Sequence, residues 1–421
     1  MRDTIFALSS GAPPAAIAVI RISGPLACAA LEALAGSLPE LRRATLMPLR
    51  ADGELLDRAL VLRFAGPATA TGEDLVELHL HGGRAVVSAV EAALGGIDGL
   101  RRGEPGEFTR RAFDNGRIDL AEAEGLADLL EAETEGQRRA AISLAGGALS
   151  RQVAAWQERI LILSAAVEAA LDFSDEEDVE PLGDAFAAGL GALGEEIGTW
   201  LDRPSADRLK DGVRVVIAGP PNAGKSSLLN ALAGRDAAIT SAFPGTTRDV
   251  IEAPVAIAGV PFLLTDTAGL REAGDEIEAA GIDRARAALG AADIVLWLGD
   301  PGGSPPGAVA VSSKADLLGT DERCAFSVSS VTGHGIEDLA RFLVARAEAL
   351  LPQPGEVAMN RRHRSAVAAA VDSLHEASCT EDLLIVAEAL RRSRHSLDRV
   401  TGRSGVEDML DALFSRFCIG K

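Results

Sequence analysis

The sequence predicts a multidomain α/β protein: an N-terminal α+β domain, an all-α helical domain split in sequence, and a Ras-like P-loop domain inserted into the second. Three observations predict it. First, the β-branched run Val213 to Ala218 leads into Gly219-Pro-Pro-Asn-Ala-Gly-Lys225-Ser226, of the form G-x-x-x-x-G-K-S, and a helix-forming run from Ser227 to Ala233 follows. A buried strand, a glycine-bearing loop and a helix, in that order, are the context that a phosphate-binding loop requires. Second, strand and helix signals alternate through residues 1–117. Third, strand signal is almost absent from residues 118–209 and again after 354.

In residues 1–117, Ala15 to Ile22 reads as a strand that Ser23-Gly24-Pro25 breaks, and Leu26 to Leu34 reads as a helix. Arg58 to Phe64 is a second strand. Leu75 to Leu80 alternates apolar and polar positions, as a half-buried strand does. His81-Gly82-Gly83 ends it and Ala85 to Leu94 returns to helix. Such alternation predicts a compact α+β domain. Arg21, Glu77, His81, Arg110 and Arg117 stand near strand ends or glycines, where each taken singly reads as solvated surface. His79 and His81 share one face of a strand and could be two metal ligands, but no third ligand is evident.

The helical domain is predicted from 118–209 with 354–421. Leu126, Leu129 and Leu130 mark one apolar helical face, and Ile160, Leu163 and Val167 mark another. Residues 172–180 hold six acids and no base; the run could hold a cation, but the usual role of such a run is a solvated loop or helix cap. After Pro352 and Pro354 the helical pattern resumes in 361–399 and 405–417. Arg361, Arg362, Arg364, Arg391, Arg392, Arg394, Arg399 and Arg403 cluster there. They could contact an RNA backbone, or equally pair with acidic helices.

At 421 residues the chain has length for two to four domains, at ~100–200 residues each. A net charge of −21 argues against a protein that coats nucleic acid non-specifically. Cys28, Cys324, Cys379 and Cys418 are scattered without a C-x-x-C pair, which predicts free thiols in a reducing compartment. There is no signal-peptide pattern, and no apolar run nears the ~20 residues of a membrane span, so no membrane association and a cytoplasmic location are expected.

The P-loop domain, residues 210–351, carries more motifs in order. Loop amides from Asn222, Ala223, Gly224 and the helix start at Lys225, Ser226 and Ser227 are expected to meet phosphates. Lys225 adds a point charge at the β- and γ-phosphates, and the Ser226 hydroxyl is placed for Mg²⁺. Gly245-Thr246-Thr247-Arg248-Asp249 lies where a switch loop belongs, and one threonine hydroxyl there can complete the Mg²⁺ shell. Asp266-Thr267-Ala268-Gly269 follows the strand Val260 to Thr265. Asp266 can hold the metal through water, and the Gly269 amide can sense the γ-phosphate. Ser313-Lys314-Ala315-Asp316 is similar to the guanine-reading motif N-K-x-D, and Ser329-Ser330 stands where a base-contacting S-A motif is expected. A carboxylate at Asp316 accepts from guanine's ring N–H and exocyclic amine, which adenine does not offer, so GTP is the expected substrate. Leu270 occupies the place of the water-orienting glutamine of Ras-like enzymes, and no arginine finger is evident.

These residues, with Arg-Ile-Ser-Gly at 21–24, Gly-Glu-Asp at 72–74, His-Gly-Gly at 81–83, Pro-Gly-Glu-Phe-Thr at 105–109 and Phe-Cys-Ile-Gly-Lys at 417–421, carry a family resemblance. The chain resembles the MnmE (TrmE) family of tRNA-modification GTPases over essentially its full length. The resemblance implies that K⁺ takes the arginine's place. Asn222 would coordinate it with Ser241, Phe243 and Thr246 of the loop Ser241-Ala242-Phe243-Pro244-Gly245-Thr246-Thr247. Ser226 and Thr247 would serve Mg²⁺. Glu278 would orient water, so that Glu278, Lys225 and Asn222 form the catalytic set.

The resemblance further implies that residues 1–117 form a homodimer and bind a formyl- or methylene-tetrahydrofolate through Arg21, Glu77 and Arg117, with Lys421 from the tail. It implies a heterotetramer with the FAD protein MnmG. Together these would build an aminomethyl or carboxymethylaminomethyl group on the wobble uridine of certain tRNAs. A regulatory GTP-binding switch in ribosome assembly is the alternative reading. Three departures stand out: Ser313 for asparagine, which is expected to lower GTP affinity; Arg117 for lysine; and 300–307 joining two strands with no helix, which would leave one side of the sheet in need of another cover.

Overall fold

The computed structural model describes residues 3–172, 182–234, 252–266, 287–353, 355–403, 410, 413–415 and 417–420. They fall into two compact units, residues 1–127 with 398–421 and residues 128–397.

The first unit is built on a six-stranded sheet of β1 (Thr4–Leu8), β2 (Ile17–Ser23), β3 (Thr45–Ala51), β4 (Glu54–Phe64), β5 (Leu75–His81) and β6 (Leu100–Arg102). Their order is β3-β4-β5-β2-β1-β6, antiparallel except for β1 beside β6. Alternation along the strands decides what each face does. Ala18, Ile20 and Ile22 of β2 and Val76, Leu78 and Leu80 of β5 are buried beneath the helices Ala27–Ala35 and Arg84–Gly95. The other face carries Arg21, Glu77 and His79. There the helix Glu107–Asp114 places Phe108 against Ile5 and Ala7 of β1. Farther across the sheet, Ile17, Leu46 and Leu60 remain 59%, 65% and 40% exposed. The predicted strand from Ala15 runs two residues later, and β1, β3 and β6 were not legible as strands. β3 is an edge strand containing Pro48, a residue that a sheet edge tolerates and a sheet interior does not.

The C-terminal segment belongs to the same unit. Leu413, Phe414 and Phe417 pack with Leu120, Ala123 and Ala127. The Ser9 hydroxyl donates to Gly420 O at 2.8 Å, and Ile419 bridges Pro105. Gly420 has φ +94°, and a Cβ there would come 2.1 Å from Leu8 O, so only glycine lets the tail lie this close to β1.

In the second unit, the helices Asp184–Leu201 and Arg361–Ser378, which flank the P-loop domain in sequence, pack on each other. This is the split helical arrangement that the fold class predicts. Trp156 is fully buried, meets Trp200 edge-on at 5.1 Å and donates its indole N–H to Glu196. A six-residue helix, Ala206–Asp211, leads into the P-loop domain and is tied on both sides. Lys210 pairs with Asp128 and Glu131, Gln137 donates to Leu209 O, and Arg208 pairs with Asp293 at the root of the second sheet.

That sheet comprises β7 (Val213–Ala218), β8 (Glu252–Ile257), β9 (Val260–Asp266), β10 (Ile294–Trp297), β11 (Val309–Ser312) and β12 (Phe326–Ser327). The order is β12-β11-β10-β7-β9-β8, parallel except for β8 against β9. Val213, Val215 and Ile217 of β7 belong to one core with Leu228 and Leu232 of helix Lys225–Ala233 and Leu339 and Leu343 of helix Ile336–Glu348. The end of β7 therefore opens between two neighbouring parallel strands, where open α/β sheets bind ligands. Between β10 and β11 the chain makes only a 3-10 turn, Pro301–Gly303, as the short loop predicts. Trp297, half-buried, ties this turn down by donating its indole N–H to Asp300 O at 3.0 Å.

Candidate functional site

The loop after β7 depends on three backbone positions. Gly219 has φ +150°, and a Cβ there would sit 2.4 Å from Leu298 O, so any side chain would push β7 from β10. Gly224 (φ +89°) opens the helix Lys225–Ala233. Asn222 holds φ +61°, a left-handed conformation that costs a residue with a Cβ more than it costs glycine. Lys225, only 4% exposed, donates from Nζ to Gly219 O at 3.2 Å and Pro220 O at 2.9 Å, so its charge stays inside the loop.

Two distant motifs meet beside it. The Ser226 hydroxyl donates to the Asp266 carboxylate at the end of β9. A hydroxyl and a carboxylate aimed at each other are oxygen donors that suit Mg²⁺. From the other side comes the guanine-reading stretch. Ser313 Oγ donates to Ala223 O at 2.5 Å, and Lys314, itself at φ +57°, donates from Nζ to Asn222 O at 2.9 Å. Ser329 Oγ donates to Asp316 Oδ1 at 2.6 Å and so holds that carboxylate in one orientation. Ser330 follows it, half-buried.

The serine at 313 thus keeps a tie to the phosphate loop, although it lacks an amide. Ser313→Ala is expected to weaken GTP binding about fivefold, the worth of roughly one 1 kcal/mol hydrogen bond. Isothermal titration with GTP checks this, and an unchanged affinity would mean that the tie contributes nothing. Ser241 to Thr247, Thr267, Ala268, Gly269, Glu278 and Lys421 lie outside the described residues, as do residues 173–180 of the acidic run.

Of the N-terminal residues, Arg21 and Glu77 meet on the open side of the first sheet. Arg21 donates from Nε and Nη2 to Glu77 Oε1, at 3.2 and 2.9 Å, and its guanidinium stands 5.9 Å from the Phe108 ring centre. Arg117 runs alongside Gly72, where an added Cβ would come 3.2 Å from Arg117 Cγ. Behind them is a cluster that sequence reasoning missed. Arg111, 5% exposed, bonds Asp3, Glu73 and Glu107, and Ser23 donates to Glu73. Its only sequence signal is the i,i+4 spacing of Glu107 and Arg111, a pattern shared with ordinary exposed helix pairs.

The paired imidazoles do not build a metal centre. His81 bonds Asp57, and His79 leans toward Glu77. Among the described residues no group of three or more His, Cys, Asp or Glu side chains is placed to hold a metal ion. In the arginine cluster, Arg391 pairs with Glu388, Arg392 with Glu376, and Arg364 donates to the carbonyls of Leu201 and Arg203. Acidic helices and backbone thus engage these three. No described helix is long and apolar enough to cross a membrane.

Comparison with known proteins covers nearly the whole chain. Residues 4–117 match the family described as GTP-binding protein TrmE N-terminus, and residues 120–418 match the MnmE helical domain. The chain is 60% identical over 426 residues to the tRNA modification GTPase MnmE of Erythrobacter litoralis, covering 100% of both. It is 60% identical over 425 residues to that of Rhizorhabdus wittichii, covering 100% of this chain and 97% of the relative. Among solved structures it is similar to the G domain of the T. maritima FeoB iron transporter, at 27% identity, 32% of this chain, 98% of that chain and a TM-score of 0.24.

Proposed function

The chain belongs to the MnmE family of tRNA modification GTPases, and from that premise we propose a K⁺-activated GTP hydrolase working with an MnmG-like FAD protein. The pair adds an aminomethyl or carboxymethylaminomethyl group to the wobble uridine of certain tRNAs, with a tetrahydrofolate as one-carbon source. The observation that carries the reading is the convergence of Lys225, Ser313 and Lys314 on the carbonyls of one loop, with Ser226 at the start of its helix meeting Asp266.

In this scheme Lys225 and the loop amides hold the phosphates. Ser226 and Thr247 would serve Mg²⁺, with Asp266 acting through water. Asp316 reads guanine. K⁺ would supply positive charge where no arginine reaches, held by Asn222 with Ser241, Phe243 and Thr246. The left-handed backbone at Asn222, braced by Lys314, supports a fixed orientation for that residue. Glu278 would orient the attacking water. Arg21, Glu77, Arg117 and Lys421 would hold the folate. The division into residues 1–117, 118–209 with 354–421, and 210–351 belongs to the same proposal, as does a cytoplasmic location. Homodimer formation through the first sheet is supported by its exposed Ile17, Leu46 and Leu60.

Steady-state GTP turnover in KCl and NaCl at equal ionic strength tests the scheme. Turnover is expected to be at least about tenfold faster in KCl, which is about 1.4 kcal/mol of the barrier. Equal rates in the two salts would remove K⁺ from the mechanism.

A further inference from the structure

At the foot of the second sheet is a cavity of about 560 Å³. It takes in the entry to β7, at Gly212 and Arg214, whereas the phosphate loop leaves the other end of that strand, after Ala218. Six residues of strand, about 20 Å, separate the two, so the cavity is not the nucleotide site. Its walls come from two stretches of chain, 202–214 ahead of the P-loop and 349–364 after the last helix of that fold. The Ala206 amide donates to Met359 O at 3.0 Å, and Ser205 bridges Met359, so the two stretches are zipped together.

Five arginines, four aspartates and no lysine line the cavity. Some of these charges are already engaged. Arg208 pairs with Asp293, whose other oxygen accepts the Arg214 amide. Asp207 accepts from the Ser205 hydroxyl and the Arg361 amide. Arg364 gives its guanidinium to the carbonyls of Leu201 and Arg203. Arg203, Arg214 and Arg361 differ. Among the described residues their guanidinium groups make no ion pair and no hydrogen bond. That of Arg203 lies over the Trp200 ring, 3.8 Å from its centre. Arg214 and Arg361 are exposed and Arg203 is half-buried.

Three unpaired forks around one cavity, on a chain of net charge −21, form a local field that suits an anion from outside. The carboxylates left over, Asp202 and Asp211, are exposed, where water and salt screen them. They still disfavour a ligand of single charge. A carboxylate brings two oxygens and one charge, enough for one guanidinium fork. Two linked phosphates bring more oxygens and more charge, and guanidinium groups bind phosphate in bidentate fashion.

We propose that this cavity is a phosphate-recognition site, in which Arg203, Arg214 and Arg361 engage two neighbouring phosphates of a free diphosphate group or of an RNA backbone. Its occupant bridges the chain that enters the second sheet and the chain that leaves it.

The test uses the full chain held in excess GDP, so that the phosphate loop is filled. Inorganic pyrophosphate is titrated calorimetrically, and an unmodified tRNA transcript by fluorescence anisotropy. Arg214→Gln combined with Arg361→Gln removes two exposed, unpaired guanidinium groups, a change that costs the fold little. Arg341→Gln combined with Arg391→Gln removes the same charge from arginines that pair with acids and do not line the cavity. The first double variant is expected to bind pyrophosphate at least tenfold more weakly, and the second to stay within twofold of the unaltered chain. Thermal midpoints confirm that both are folded. The transcript then identifies the source. If it also weakens tenfold and pyrophosphate displaces it, the phosphates are those of an RNA backbone; if it is untouched, they belong to a free diphosphate. The proposal is overturned if pyrophosphate does not bind the unaltered chain, if the first double variant binds it as tightly, or if the second loses as much as the first.

Discussion

Asp316→Asn is expected to lower GTP affinity by about 100-fold and to raise the affinity for xanthosine triphosphate. The carboxylate accepts two hydrogen bonds from guanine, and bonds to a charged group contribute roughly 1.5–3 kcal/mol each. An asparagine keeps one acceptor and turns a donor toward a donor, so about 2.7 kcal/mol, or two decades, is the expected loss. Xanthine carries an oxygen where guanine has its exocyclic amine, and the asparagine amide matches that oxygen. Ser329 Oγ fixes the orientation by donating to Asp316 Oδ1, and it also accepts from the amides of Val331 and Thr332, so the acceptor is aimed before nucleotide arrives. Competition of GTP, ATP and xanthosine triphosphate for the full chain measures the effect. A variant that still rejects the other purines as firmly as the unaltered chain would take base reading away from Asp316.

The strand, loop and helix at Val213 to Ala233 were legible in sequence because they are written in one contiguous motif at a strand end. The spacing from Gly219 to Ser226 implies its own geometry, and Asp266 and Asp316 each follow a recognisable strand. By residue type alone, Ser313 is a loss relative to asparagine. The hydroxyl nevertheless reaches Ala223 O, a fact that depends on how close β11 brings it to the loop. The short connection after β10 was also legible, since too few residues remain for a crossover helix. What could not be read was long-range pairing within the first unit. β1 and β6 are five and three residues long, and their pairing joins segments nearly a hundred residues apart. No local period reports such a contact. His79 and His81 suggested a shared role by spacing, but their strand neighbours send them to different carboxylates, Glu77 and Asp57.

Arg111→Met is expected to destabilise the first unit by about 3 kcal/mol, the low end of the cost of removing one partner of a buried ion pair, because Glu73 loses its cation whereas Asp3 and Glu107 keep Arg101. The side chain bridges three acids from different parts of the chain: Asp3 before β1, Glu73 before β5, and Glu107 in its own helix. Methionine fills similar volume but satisfies none of them. The carboxyl of Asp3 is held below its usual range, first by the hydrogen bond from Arg101 and then by Arg111. For Glu107, burial pushes upward, but Arg101, the Glu104 amide and Arg111 outweigh it and the net direction is down. Carboxylates depressed in the folded state stabilise it above their unfolded pKa, and that contribution fades as pH falls through the lower folded value. The deficit of Arg111→Met should therefore be largest near neutral pH and shrink on acidification below the ordinary carboxylate range, as Asp3 and Glu107 become protonated. All three tryptophans, at 156, 200 and 297, lie in the other unit, so their fluorescence cannot follow this one. Hydrogen exchange in peptides spanning β1 and the helix Glu107–Asp114 can. Exchange there should quicken by two decades or more at neutral pH, with peptides from β7 unaffected. Equal protection in both chains would mean that the acids are solvated well enough to stand without the guanidinium.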